Sequence, residues 1–168
     1  MVGNHINKQF AVVIMAAGKG TRLKSKRPKV LHEVGGRPLL AQVIAAAAQV
    51  APPGDIFVIV GHQAQQVEDA VRNTGVRFVL QAEQRGTGHA IMCARAAVEQ
   101  YQNILVLSGD VPLILPETLA KIRDFHLSRK AAMTILTAEP EDPFGYGRVL
   151  RSSAGSERVK GVVEQKAL

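Results

Sequence analysis

Apolar residues along this chain follow two alternating patterns. Short unbroken runs rich in Val and Ile occur at FAVVIM (10–15), DIFVIVG (55–61), VRFVLQ (76–81) and NILVLSGD (103–110). Their length and composition predict strands buried on both faces. Between them apolar residues recur at helical spacing. Leu40, Val43, Ile44 and Ala47 form one face, Val67, Ala70 and Val71 a shorter one, and Ile91, Ala94 and Val98 a third. Leu115, Leu119 and Ile122 mark a fourth helix whose first turn carries Pro116, where a missing N–H costs nothing. A fifth strand is expected at AAMTILTAE (131–139). Beyond Pro140 turn residues separate two short alternating runs, GRVLR (147–151) and RVKGVVEQ (158–165). They predict a small β-hairpin laid over the sheet edge.

Strands buried on both faces and joined by helices imply an α/β fold, a doubly wound and mostly parallel sheet with right-handed crossovers. Ligands of such sheets bind outside the carboxyl ends of the strands. Three polar clusters fall there: the loop after the first strand, Gln81 to Thr87, and Ser108 to Asp110. The coincidence predicts one site. With no linker, repeat or low-complexity segment in view, residues 1–168 read as a single domain.

Charge sharpens the first cluster. Residues 1–32 hold seven Lys or Arg and no Asp or Glu, while the other 136 hold fourteen of each sign. The net charge of +7 is therefore a local feature of the segment MAAGKGTRLKSKRPK (15–29). Glycines there admit backbone N–H groups to an anion and the cations neutralise it, the makings of a polyphosphate cradle. Leu23 stands where a dinucleotide-binding G-x-G-x-x-G needs its third glycine, and no G-x-x-x-x-G-K-[ST] occurs. Aromatic residues make up 4% of the chain and Trp is absent, which disfavours nucleic acid, whose binders interleave basic and aromatic residues.

Other classes fall away quickly. A single cysteine, Cys93, excludes an internal disulfide and reads as a small buried helical residue. The five histidines lack zinc-ligand spacing. No apolar run reaches membrane length and the amino-terminal residues lack a signal-peptide pattern, so a cytoplasmic, non-membrane protein is expected.

Candidate residues follow from their chemistry. Arg22 offers a planar fork to phosphate oxygens, and Lys29 a point charge aimed by Pro28. Lys24, Lys26 and Arg27 read as solvated cations that steer a ligand. In QAEQRGTGHA (81–90), Gly86 and Gly88 leave a helix start open, and Thr87 either caps it or donates to an anion. The Gln81 carboxamide matches the imide edge of a pyrimidine. Asp110, closing an apolar strand behind Gly109, is either a Mg²⁺ ligand or a turn residue before Pro112. FGYGR (144–148) and Glu164 suit sugar hydroxyls, or equally a tight turn and an exposed strand carboxylate.

Taken together, AAGKGTRL and RPKVLHEVGGRPL resemble the sugar nucleotidyltransferase family. The set VLQAEQRGTGHA, SGDVPL, DPFGYGRV and GVVEQK is narrower. It resembles the uridylyltransferase part of the bacterial bifunctional N-acetylglucosamine-1-phosphate uridylyltransferase/glucosamine-1-phosphate acetyltransferases. The resemblance implies a Rossmann-like nucleotide-diphospho-sugar transferase fold. It also implies that Met15, Ala16, Ala17, Gly18 and Gly20 hold the nucleotide and that Arg22 and Lys29 engage its phosphates. Gln81 and Gly86 would read uracil, with Thr87 beside the nucleotide sugar and Asp110 on Mg²⁺. Ser108, Gly109, Gly147 and Glu164 would line the N-acetylglucosamine moiety.

Two departures stand out. Ser108 replaces an aromatic residue expected in some relatives. The family's catalytic domain also continues beyond this point, with a second metal ligand, an Asn, and then a β-helix for acetyl transfer. The expected activity is therefore uridylyl transfer from UTP to N-acetylglucosamine 1-phosphate with Mg²⁺, without acetyl transfer. The domain is expected to be incomplete at its carboxyl end. Use of another nucleoside triphosphate, or nucleotide binding without turnover, are the competing expectations.

Overall fold

A computed structural model describes residues 8–20 and 23–165. These residues fall into two compact units that divide between Ser128 and Arg129. The first begins with β1 (Lys8–Met15), then a two-residue pair, β2 (Glu33–Val34) and β3 (Arg37–Pro38), leading into α1 (Leu39–Ala47). Then come β4 (Ile56–Val60), α2 (Ala64–Val71), β5 (Arg77–Leu80), α3 (Thr87–Val98), β6 (Tyr101–Ser108) and α4 (Pro116–Arg129). Strands β1, β4, β5 and β6 form one parallel sheet in the order β5-β4-β1-β6.

Alternate residues of β1 and β4 feed opposite buried faces, which explains their unbroken apolar runs. The edge strands β5 and β6 are not buried on both faces as expected: Leu80, Ile104 and Val106 are exposed, because a strand at the edge of a sheet is less fully covered. Val12, Ile14, Ile56 and Val58 pack with Leu40, Val43, Ile44 and Ala47 of α1 and with Val67 and Val71 of α2. Ala11, Val13, Phe57 and Ile59 pack on the other face with Ala90, Ala94 and Val98 of α3. The sheet is doubly wound, as the pattern implied. Two helix-face positions differ: Ala70 is exposed, because Val67 and Val71 one turn apart already close the short α2 face, and Leu115 stands just before α4 and is exposed, leaving Leu119 as that helix's buried residue.

The chain moves outward from β1 to β4 and β5, then returns to the far side of β1 as β6. That reversal places the switch point of the sheet, where ligands of such folds bind, at the carboxyl ends of β1 and β6. The opposite end of the sheet is clasped by polar contacts. Lys8 Nζ and the Tyr101 hydroxyl both donate to Asp55 Oδ1, each at 2.6 Å. Partial desolvation pushes the Asp55 carboxyl up, but the bonds from Lys8 and Tyr101 outweigh it and hold it below the ordinary carboxylate range. The bond to Asp55 raises the Lys8 ammonium, whereas desolvation is the first cause raising the Tyr101 phenol.

In the second unit β7 (Arg148–Arg151) pairs antiparallel with β8 (Val159–Val163), and a register irregularity falls between Leu150 and Arg151. The expected hairpin is present. The expected strand at 131–139 is not; the segment has no strand, and Met133 and Leu136 are 71% and 57% exposed. Apolar alternation specifies a face to bury, whereas a strand also needs a neighbouring backbone to complete its ladder. Among the described residues, none forms a ladder with this run. The β2–β3 pair was not anticipated. Gly35 and Gly36, at φ +62° and +73°, make its tight turn.

Candidate active site

At the end of β1 the backbone stays tied to the sheet. The Ala16 amide donates to Ile59 O at 2.8 Å, and the Gly109 amide donates to Met15 O at 2.9 Å. Ala16 and Ala17 are buried, and the loop then emerges through exposed Gly18 and Lys19. Two glycines of this loop play different parts. Gly20 has φ +60°, and a Cβ on it would lie 2.7 Å from the Lys29 Cβ, so the lysine stem fills the space a side chain needs. At Gly18 a Cβ would meet nothing within 4 Å, leaving the space above it open.

Lys29 begins a short 3-10 turn (Lys29–Leu31) preceded by Pro28, and buried Val30 and Leu31 anchor that turn in the core. Its ammonium forms an ion pair with Asp110 Oδ2. Asp110 reaches this position because Gly109 packs against the end of β1. A Cβ on Gly109 would stand 3.0 Å from Met15 O and 3.2 Å from Leu40 Cδ1. Ser108, the last residue of β6, is exposed beside it. Arg22 lies outside the described residues. Arg27 pairs with Glu33 at 2.8 Å, while Lys24 and Lys26 are exposed.

The second loop is fastened from within. Gln81 is 3% exposed, and its Nε2 donates to Gly86 O at 3.3 Å and meets His89 Nδ1 at 3.1 Å. Gln84 Nε2 donates to Gln81 O at 3.2 Å. Gly61, ending β4, joins this loop to the first: a Cβ there would lie 2.8 Å from Gln84 Nε2 and 2.9 Å from the Ala17 Cβ. Gly86, at φ +96°, is the N-cap of α3, and no side chain caps it. Thr87 is therefore the first helical residue, not the cap, and it is exposed with Gly86.

The first unit thus brings together Met15 to Gly20, Lys29, Ser108, Gly109 and Asp110, with the Gln81–Thr87 loop seamed to them at Gly61. In the second unit Gly147 and Glu164 are neighbours. A Cβ on Gly147 would stand 3.2 Å from Val163 O and 3.8 Å from Glu164 Oε2. Glu164 and Tyr146 are exposed, and the Gly145 amide donates to Gln165 Oε1 at 3.2 Å.

Three residues were missed by sequence reasoning: Gly61, Gln84 and His89. Gly61 had a usable signal, since it ends an apolar strand as Gly109 does. His89 sits one turn into α3 beside Cys93, which is half-buried, not sealed in the core as expected; His89 Nε2 lies 3.8 Å from its sulfur. Among the described residues no group of three or more His, Cys, Asp and Glu could hold a metal ion.

A parallel sheet with a glycine-rich, cation-bearing loop at its switch point defines a nucleotidyltransferase domain. The chain belongs to the MobA-like NTP transferase domain family, whose model matches residues 12–162. It is 59% identical to the bifunctional protein GlmU of Koribacter versatilis (strain Ellin345) over 96% of this chain and 35% of that protein. The chain spans about a third of the length of the curated relatives it matches. Among solved structures, HddC from Yersinia pseudotuberculosis complexed with GMP-PN superposes with a TM-score of 0.72 at 26% identity, covering 94% of this chain and 70% of that one. Rv0371c from Mycobacterium tuberculosis H37Rv in complex with manganese gives 0.58 at 27% identity, covering 72% and 61%. Among the described residues no helix is long and apolar enough to cross a membrane.

Proposed function

We propose that this chain carries the uridylyltransferase site of a cytoplasmic enzyme supplying cell-wall precursors. It would make UDP-N-acetylglucosamine and pyrophosphate from UTP and N-acetylglucosamine 1-phosphate. The observation that carries this reading is the meeting of the glycine loop, Lys29 and Asp110 at the carboxyl ends of β1 and β6. The relationship to the bifunctional protein GlmU supports the choice of substrates.

In this mechanism the loop from Met15 to Gly20 receives the triphosphate through the backbone amides beyond Ala16, whose own amide is engaged with Ile59 O, and Gly18 leaves room for its approach. Lys29, together with Arg22, neutralises charge on the phosphates. A sugar-phosphate oxygen forms a bond to the α-phosphorus in line, the bond from that phosphorus to the bridging oxygen breaks, and pyrophosphate departs with the electron pair. No protein nucleophile takes part. Positioning and charge stabilisation carry the acceleration.

The residues suit a divalent cation such as Mg²⁺. Asp110 is one half-exposed carboxylate beside an anion cradle, matching an ion held by one or two carboxylates, water and phosphate oxygens. Bound there, Mg²⁺ supplies charge neutralisation at the phosphate oxygens. Gln81 and Gly86 would face the base, Thr87 the ribose, and Ser108 and Gly109 the N-acetylglucosamine moiety. For Gly147 and Glu164 of the second unit a sugar-binding role rests on the family resemblance.

Pyrophosphate release with UTP, CTP and GTP, alongside calorimetric binding of each nucleotide with Mg²⁺, tests the reading. Release with UTP and the sugar phosphate together is the expected result. UTP binding without release would limit the chain to nucleotide binding. Preference for GTP would favour a guanine reading, for which the GMP-PN complex of HddC gives a specific precedent.

A further inference from the structure

We propose that His89 is a positioning residue for base selection: together with Gly86 O, its Nδ1 holds the Gln81 carboxamide with one end presented to the base. The proposal rests on the uridine reading above and adds a residue to it. A carbonyl oxygen can only accept a hydrogen bond. The Gln81 atom 3.3 Å from Gly86 O must therefore be the amide nitrogen, which settles the orientation of a group whose two ends are otherwise alike. The same nitrogen meets His89 Nδ1 at 3.1 Å, so Nδ1 must accept and the neutral ring carries its proton on Nε2. That Nε2 faces the Cys93 sulfur at 3.8 Å, a weak acceptor that suits an N–H.

Both amide hydrogens of Gln81 are thus engaged inside the loop. Among the described residues no donor is bonded to the remaining pole, Oε1, although the residue is 3% exposed. That oxygen is not one of the buried unpartnered atoms, so this pole of an otherwise enclosed side chain stays open to a ligand donor. Uracil offers one, its N3–H, whereas the same ring position of cytosine is an acceptor and would oppose Oε1. Rotating the amide would turn its oxygen toward Gly86 O and lose that bond, and would keep the His89 contact only if the imidazole proton moved from Nε2 to Nδ1. His89 therefore biases the site toward the imide pyrimidine without touching the nucleotide.

The test is calorimetric titration of the chain with the Mg²⁺ complexes of UTP and CTP, for wild type, His89→Ala and His89→Asn, with nitrogen NMR of the imidazole rings. Wild type is expected to prefer UTP. His89→Ala should reduce the UTP-to-CTP affinity ratio about fivefold, the scale of one hydrogen bond. His89→Asn, which can place an acceptor near the Nδ1 position, should restore it. An unchanged ratio in His89→Ala, or equal weakening of both nucleotides, would overturn the proposal, since a merely structural role moves both alike. A ring protonated on Nδ1 would overturn it independently of any nucleotide. A wild type without UTP preference but with the expected tautomer would instead overturn the uridine reading.

Discussion

Lys29 and Asp110, 81 residues apart in sequence, form an ion pair at the carboxyl edge of the sheet. In the proposed mechanism the two have different partners, phosphate for the lysine and a cation for the carboxylate. Each therefore neutralises the other until substrate supplies both, and the pairing keeps two opposite charges side by side at the place where they are needed.

Replacing Lys29 separates these roles. Lys29→Ala should lower turnover in a complete domain by about 10²-fold or more, the scale of losing one preorganised donor. The same variant should bind Mn²⁺ more tightly than wild type when no nucleotide is present, because Asp110 no longer holds an internal cation. Metal titration followed by paramagnetic resonance reads this directly. Unfolding stability should change by no more than about 1 kcal/mol, since both groups remain about a third exposed.

Two glycines of one loop should respond differently to a methyl group. Gly20→Ala is expected to cost about 1–3 kcal/mol and to weaken nucleotide binding, because φ +60° and the Lys29 stem both oppose a side chain. Gly18→Ala meets nothing within 4 Å, so its stability should stay within about 0.5 kcal/mol of wild type while UTP affinity falls. Urea unfolding and nucleotide titration on the two variants separate fold from function.

The clasp at the far end of the sheet predicts a pH dependence unrelated to the site. The Asp55 carboxyl is held low, so its contribution is present above the unfolded carboxylate value near pH 4 and is lost as pH falls through the lower folded value. Lys8 is raised, so its share is complete below about pH 10.4 and is lost as pH rises beyond that through the folded value. Asp55→Asn should flatten the acid limb. Urea midpoints at pH 6 and pH 3 for both proteins check this, and equal drops would disprove it.

The hairpin offers a selective variant. Glu164 is exposed beside Gly147, so Glu164→Gln should leave folding unchanged. Weaker N-acetylglucosamine 1-phosphate binding with unaltered UTP binding is the expected calorimetric result. A loss of UTP affinity would place the residue in another role.

Much of the sheet was legible because the central strands β1 and β4 are buried on both faces and leave unbroken apolar runs, and all four parallel strands lie within the runs that suggested them or overlap them closely. Residues 131–139 failed for the complementary reason, since composition records an appetite for burial but names no pairing partner. The glycine loop, Lys29 and Asp110 were readable from charge segregation and from glycine at a strand end. Gly61 carried the same strand-end signal but was passed over, whereas Gln84 and His89 were not readable, because their roles are contacts made with other segments and such a seam leaves no periodicity behind. The Lys29–Asp110 pair belongs to the same group: each residue was found separately, their contact only in three dimensions.

The central claim is that the carboxyl edge between β1 and β6 holds a nucleoside triphosphate. A crystal structure of the chain with UTP and Mg²⁺ tests it most directly. The account predicts phosphate density against the amides of residues 17–20, with Lys29 turned from Asp110 to a phosphate oxygen. A triphosphate bound elsewhere, with the Lys29–Asp110 pair intact and the loop vacant, would contradict it.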